Sequence, residues 1–437
     1  MSQPLRALVL CAMTLGFAVT ATAENWPHWR GPRFDGTSQA TGLPSSWDAE
    51  TNVRWRLELP GHAASTPVVW GERIFLTSTV EGSEDLVVMA VDEAGKPQWR
   101  TTVSSGAYDF QGGLAQFAHE TNPASPSPVT DGEHIWVMYG NGTLAAVDLD
   151  GKVAWKVNLE ERYGALSLYF GLSSSPFVDG DKLFLQLLNT NGQWVVALDK
   201  KTGKEAWKHE RKTDATDECL HSYTSPFTYP AGDQRLLVIH GADYVSAHRL
   251  SDGAEQWRHG GLNPKDGYNP SFRLVATPIF TDGLMVVPSA KRGPVYGIDP
   301  KGAKGDVTGK ATWHLERGTP DVPSPVVHDG LVYLSGERGT LTSLDAKTGE
   351  KVYDERVHGA PHRGSPVVAD GKVFLMSSDG TVSVIKAGKT YELLAQNTFE
   401  ERMAASPAFL GDTILLRTHK ALYAVGETAK PEAAAGN

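Results

Sequence analysis

The sequence predicts an all-β chain folded as one closed eight-bladed β-propeller. Two repeated signals carry that prediction. A turn phrase ending in an aromatic recurs along the chain, and a Ser-Pro or Thr-Pro recurs about every 49 residues between Pro67 and Pro407. A third observation closes the ring: a surplus strand near the beginning matches a strand missing near the end.

The first element is residues 1–23. Arg6 flanks an apolar stretch and Ala21-Thr22-Ala23 fits a small-x-small cleavage site, the pattern of a secretory signal peptide. Cys11 follows Leu10 rather than a small residue, so a lipoprotein anchor is not expected. Removing this segment takes away Arg6 and moves the net charge from −10 to −11. An acidic exported chain is a poor partner for nucleic acid or an anionic membrane surface. No later apolar run is long enough to span a bilayer. One cysteine remains, Cys219, which excludes an internal disulfide and points to a buried thiol. The chain is expected in the periplasm or outside the cell.

Residues 24–52 read as an extended N-terminal segment and 53–427 as the propeller, with a disordered tail over 428–437. Eight prolines, Pro67, Pro128, Pro176, Pro226, Pro278, Pro325, Pro366 and Pro407, each follow Ser or Thr and begin an apolar strand. The unit starting at Ser324 shows the plan. Pro325–His328 runs to Asp329-Gly330, Leu331–Leu334 to the Glu337-Arg338-Gly339 turn, Thr340–Leu344 to Asp345…Gly349, and Lys351–Asp354 ends the unit. Short strands joined by Asp-Gly-type turns read as antiparallel hairpins. One such small sheet cannot cover both faces, so the sheets must stack radially. The unit from Ser406 lacks its fourth strand, while residues 53–58 form a fourth-type strand with no predecessors. Pairing them closes the ring and removes two open edges, so a monomer is expected.

The turn phrase then has a mechanical meaning. "AVDEAGKPQW" ends at Trp99, "AVDLDGKVAW" at Trp155, "ALDKKTGKEAW" at Trp207 and "SLDAKTGEKVY" at Tyr353. An Asp such as Asp199 holds the amides of the turn, and a Gly such as Gly203 permits positive φ. The aromatic is expected to wedge between blades. The docking set is Trp55, Trp99, Trp155, Trp207, Trp257, Trp313 and Tyr353, with eight wedges expected around the ring.

The repeated Asp-x-x-Thr-Gly-x-x-x-Trp turn resembles the tryptophan-docking motif of the quinoprotein (PQQ-dependent) alcohol dehydrogenase-like propellers, which have eight blades. The likeness covers about residues 24–427, and "NWPHWRGPRFDGTS" at 25–38 resembles the opening of exported PQQ-repeat proteins. The superfamily includes dehydrogenases that bind PQQ and calcium in the central funnel. It also includes the non-catalytic BamB component of the outer-membrane assembly machinery, which serves as a scaffold. The chain departs from the dehydrogenases: it has no adjacent Cys-Cys, no Cys-x-x-Cys-His, and short loops. It departs from the assembly factor in the absence of a lipoprotein cysteine. The resemblance therefore implies architecture, and activity must be argued from a site.

Loops leading into each Ser/Thr-Pro should deliver residues to the central channel. Five positions before the prolines stand His62, Pro123, Gly171, His221, Arg273, Pro320, Pro361 and Arg402, with His119, Glu120, Tyr223, His362 and Arg363 nearby. Basic groups converging in an acidic chain point to an anion-accepting funnel. The competing reading makes them solvated rim residues or partners of acids such as Asp217 and Asp321. "GNGTLA" (140–145) opens no helix and is a hairpin rather than a dinucleotide site. "DLDG" (148–151) lacks the later acid of a calcium loop. The expected function is a non-catalytic binding or scaffold module without cofactor, meeting another envelope protein or a small anionic ligand at the funnel face. The alternative is a PQQ- and calcium-dependent oxidoreductase acting on alcohols or sugars.

Overall fold

The protein is described by a computed structural model covering residues 24–48, 50–106 and 121–428. The signal-like segment, His119, Glu120 and the tail from residue 429 onward lie outside the described residues.

Eight antiparallel sheets make eight blades, as the repeat predicts. Blade 1 runs Val68–Trp70, Arg73–Thr79, Asp85–Asp92 and Pro97–Ser105, from the hub outward. Blades 2 to 7 start at Val129–Thr130, Phe177–Asp179, Phe227–Ala231, Ile279–Thr281, Val326–His328 and Val367–Ala369. Blade 8 takes Ala408–Leu410, Thr413–Arg417 and Ala421–Val425 from the end of the chain and Val53–Glu58 from its beginning. The seam is antiparallel, with Arg56 opposite Tyr423 and Glu58 opposite Ala421.

At the hub, the residue before each inner-strand proline joins its blade to the next. Thr66 N–H donates to Ser127 Oγ at 2.9 Å, Ser127 to Ser175 at 3.0 Å, Ser175 to Ser225 at 3.0 Å and Ser225 to Thr277 at 3.1 Å. Thr277 donates to Ser324 at 2.8 Å, Ser324 to Ser365 at 2.9 Å, Ser365 to Ser406 at 3.0 Å, and Ser406 back to Thr66 at 3.1 Å. The circuit is closed. The dipeptide explains itself: a residue before proline is held extended, its hydroxyl accepts from one neighbour, and proline brings no orphan N–H to the channel wall.

At the periphery, indoles lie on the next blade's turn. Trp55 Nε1 donates to Glu93 O at 2.7 Å, Trp99 to Leu149 O at 2.9 Å, Trp155 to Lys200 O at 3.0 Å, Trp207 to Leu250 O at 2.9 Å and Trp313 to Ala346 O at 2.8 Å. Each ring sits so close to the turn glycine that a Cβ there would overlap it; at Gly203, φ +67°, the approach to Trp155 would be 2.6 Å. Asp199 Oδ1 accepts from the Lys201 and Thr202 amides and shapes that turn.

Three junctions correct the expectation of eight wedges. Trp257 is fully buried and donates to Tyr229 Oη of its own blade at 2.8 Å. The next turn is displaced by an insertion whose Gly305–Asp306 strand pairs in parallel beside Trp257. Tyr353 packs edge-on against Tyr391, centroids 5.9 Å apart, rather than onto a glycine. Blade 7 carries Ala395 at the aromatic position, opposite Val384. It also has no turn to meet, because the last strand of blade 8 comes from the other end of the chain.

Residues 24–48 fill that gap and also stop the channel. Trp47 is buried, and its N–H donates to Asn397 Oδ1 of blade 7 at 2.9 Å. Nearer the hub, Trp26 exchanges backbone bonds with Val69 of blade 1. His28 stacks on Phe177, Phe34 stacks on Phe227, and the Arg30 guanidinium donates to Pro325 O and Pro366 O of blades 6 and 7. The segment approaches from the face that carries the first hairpins: Gly71 N–H donates to Asn25 and Leu43 N–H to Asp370.

Gly203→Ala is expected to cost about 1–2 kcal/mol for the left-handed backbone, plus roughly 1–3 kcal/mol for displacing Trp155. Gly302→Ala, at φ +70° with open space around it, should show only the first part. Urea unfolding of both variants measures the docking contribution as the difference.

Candidate functional site

Two sets of connections cross the face opposite the stopper: the loops entering each Ser/Thr-Pro, and the hairpins between second and third strands. They surround a cavity of about 350 Å³ on the axis. Trp29 and the eight hub residues line its depth. Phe170, Tyr223, Arg273, Lys291, Asp321 and Arg363 line its mouth.

The mouth is a charge network. Arg273 stands 3.4 Å from Glu218 and 3.5 Å from Asp321, with its guanidinium 4.6 Å over the Phe170 ring. Lys291 Nζ lies 2.5 Å from Glu337 and 3.5 Å from Asp321. Burial pushes the Asp321 carboxyl up, but Arg273, a hydrogen bond with Glu337, Lys291 and Arg363 outweigh it and hold it below its ordinary value. Glu337 moves the other way, raised by burial and by Asp321 against the pull of Lys291.

The family described as outer membrane protein assembly factor BamB matches residues 84–299 and 291–428. The chain belongs to this PQQ-like repeat family. Among curated relatives, the polyvinylalcohol dehydrogenase of Pseudomonas sp is 24% identical over 353 residues, covering 67% of this chain and 51% of that protein. The chain thus corresponds to about half that relative's length. The assembly factor BamB of Yersinia pestis is 25% identical over 297 residues, covering 64% of this chain and 67% of its own. Among solved structures, BamB from Moraxella catarrhalis superposes with TM-score 0.62 at 15% identity, covering 86% of this chain and 99% of that one. The quinohemoprotein alcohol dehydrogenase from Comamonas testosteroni gives 0.68 at 14% identity, covering 95% and 82%. At these identities the superpositions establish the fold.

Within this PQQ-like propeller the predicted funnel residues separate into groups. Tyr223, Arg273 and Arg363 line the cavity. His221 and His362 do not: both are buried, and burial lowers each imidazole to about 4. His221 Nε2 meets Thr190 Oγ1 at 2.8 Å and His362 Nδ1 meets Ser335 Oγ at 2.7 Å. They pack the blades as neutral rings, which corrects the expectation that they add positive charge to the funnel. His62 stands beside His419, ring centroids 5.3 Å apart, and Arg402 is exposed; neither lines the cavity. Glu218, rather than its neighbour Asp217, faces Arg273. Cys219 is buried, and burial raises its thiol.

Lys291 and Glu337 carry no sequence signal of their place in the site, because neither stands in a loop before Ser/Thr-Pro. Both lie in second-to-third-strand hairpins, which return to the same face. Calcium takes six to eight oxygen ligands. Among the described residues no group of three His, Cys, Asp or Glu is placed to hold a metal. Asp321 and Glu337 are already engaged by Arg273 and Lys291. The described donor set at the mouth does not fit calcium.

His28 is also lowered to about 4, and His240 and His248 to about 3, in each case first by burial. The folded state resists protons that the unfolded chain accepts near 6.5, so this stabilisation is full above 6.5 and is lost as pH falls toward 4. Urea midpoints should fall between pH 7.5 and 5, and the double variant His221→Gln/His362→Gln should show a shallower pH dependence.

Proposed function

We propose that the chain is an exported, non-catalytic binding module of the cell envelope, of the kind the assembly-factor relatives represent. Its funnel face takes another envelope protein or a small anionic ligand. One observation carries the reading. At the mouth three cations, Arg273, Lys291 and Arg363, surround one lining carboxylate, Asp321. The two further acids, Glu218 and Glu337, hold Arg273 and Lys291 rather than projecting an unengaged carboxylate. Such a mouth suits an anionic partner group and, among the described residues, offers no ready general base. The signal-like residues 1–23 support export. A ring closed on itself needs no second copy for stability, so the module acts as a monomer.

A second reading, a PQQ- and calcium-dependent oxidoreductase acting on alcohols or sugars, draws on the polyvinylalcohol dehydrogenase likeness. The two part in one experiment. The mature chain, incubated with PQQ and calcium and supplied with alcohols and an artificial electron acceptor, should show no turnover. The same preparation immobilised in envelope extract should retain a partner protein, and Arg273→Gln/Lys291→Gln should release it. Turnover without retention reverses the assignment.

A further inference from the structure

Each blade ends in an outer strand, and seven of the eight are guarded against the addition of a further strand. Six carry Lys, Arg, Asp or Glu, as with Arg100 in blade 1, Lys156 in blade 2 and Asp354 in blade 6. The blade 5 strand, Trp313–Leu315, is only three residues long. Charge and shortness are the ordinary defences of a sheet edge. Blade 7 has neither. Its outer strand, Leu393–Thr398, is six residues without a charge and lies at the end of its sheet. Leu393 and Leu394 are two of the three large apolar side chains left exposed among the described residues.

Apart from its pairing with Thr381–Lys386, no backbone group of this strand has a hydrogen-bond partner among the described residues. The leading segment touches it from one flank, through the Asn397 side chain, which meets Trp47 N–H and Ser45 O. The outward row of N–H and C=O groups stays open. The two ends differ in charge. Toward the face of the first hairpins stands Lys389, exposed and without an ion pair among the described residues, next to Lys386, which Glu392 holds at 2.9 Å. Toward the funnel stands Glu400, and from Thr398 the chain enters the loop that carries Ala404 to the cavity wall. The open edge is therefore continuous with the funnel face.

We propose that the outer edge of blade 7 accepts an extended segment of the partner protein as a fifth, antiparallel strand. The segment has an uncharged centre, apolar side chains beside Leu393 and Leu394, and a carboxylate at the end that meets Lys389. The inference rests on the binding-module reading and gives its partner a second point of contact. Backbone pairing along the edge supplies affinity, and the side chains supply selectivity. Only a strand offers N–H and C=O groups at the spacing of this row.

The test is calorimetry on the mature chain with the capped peptide Ac-Thr-Val-Thr-Val-Thr-Val-Glu-NH2, whose C-terminal end lies beside Lys389 in antiparallel pairing. One control peptide ends in Lys instead of Glu, and another carries Pro at its two central positions, which removes backbone donors. The Glu peptide is expected to bind at least three-fold more tightly than the Lys peptide, with the preference fading as salt rises, and at least ten-fold more tightly than the Pro peptide. Leu393→Lys and Leu394→Lys, both at exposed positions that leave the fold intact, should each weaken it at least five-fold. Lys389→Glu should reverse the preference between the two end charges. Thr102→Lys, on the outer strand of blade 1, should change nothing. Binding that tolerates the two prolines, or that ignores both leucine variants, overturns the proposal. So does a dimer of the chain alone that Leu394→Lys dissolves, because the edge then belongs to a second copy. A partner retained in extract by a chain that ignores the peptide would leave the binding module standing and remove only the added strand. Turnover after reconstitution in a chain that still binds the peptide would do the opposite.

Discussion

The circuit of amide-to-hydroxyl bonds at the hub is the constraint on which the rest of the molecule depends. Each bond is a modest neutral interaction, worth on the order of 1 kcal/mol. Its importance is geometric. Every blade's inner strand is set against the next by the same donor and the same acceptor, so the rotation between blades repeats until the eighth returns to Thr66. An open ring would leave one buried amide and one hydroxyl without their mates, at roughly 1–3 kcal/mol each. The hub thus holds the ring closed and sets the chemistry of the channel wall together.

The periphery is more tolerant. Where an indole rests on a glycine and donates to the carbonyl beside it, three requirements coincide: a flat ring, a residue without Cβ, and a turn held by Asp or its equivalent. Where one is missing, the chain substitutes another device. An insertion covers Trp257, a tyrosine pair serves between blades 6 and 7, and Trp47 of the leading segment enters between blades 7 and 8. The outer rim can vary because side chains there pack against partly open surface. The hub cannot, because its polar groups are buried.

Much of the fold could be read from sequence because it is written in repeated pairs. Ser/Thr-Pro marked every inner strand, and the unmatched fourth strand around Trp55 marked the seam. The exceptions in docking were hidden because they arise from what lies opposite: Trp257 looks like its fellows, and only the displaced turn at Asp299–Gly302 changes its partner. The site was half visible. Arg273 and Arg363 stand in loops that a Ser/Thr-Pro marks, whereas Lys291 stands in a hairpin without such a mark. The burial of His221 and His362 is hidden in the sequence, which gives residue type alone, and burial decides whether an imidazole is charged. The stopper formed by Trp29 and Arg30 had no periodic signal at all.

Blade 8 is woven from the two ends of the described propeller, and that has a bearing on time. A polypeptide being synthesised presents Val53–Glu58 early, yet its pairing partner Ala421–Val425 arrives only after the seven intervening blades. Contacts so distant along the chain form slowly, and until they form the early strand is an unpaired edge. A chain that ends before Ala421 can stack blades but cannot close the ring, and Val53–Glu58 then keeps an open edge.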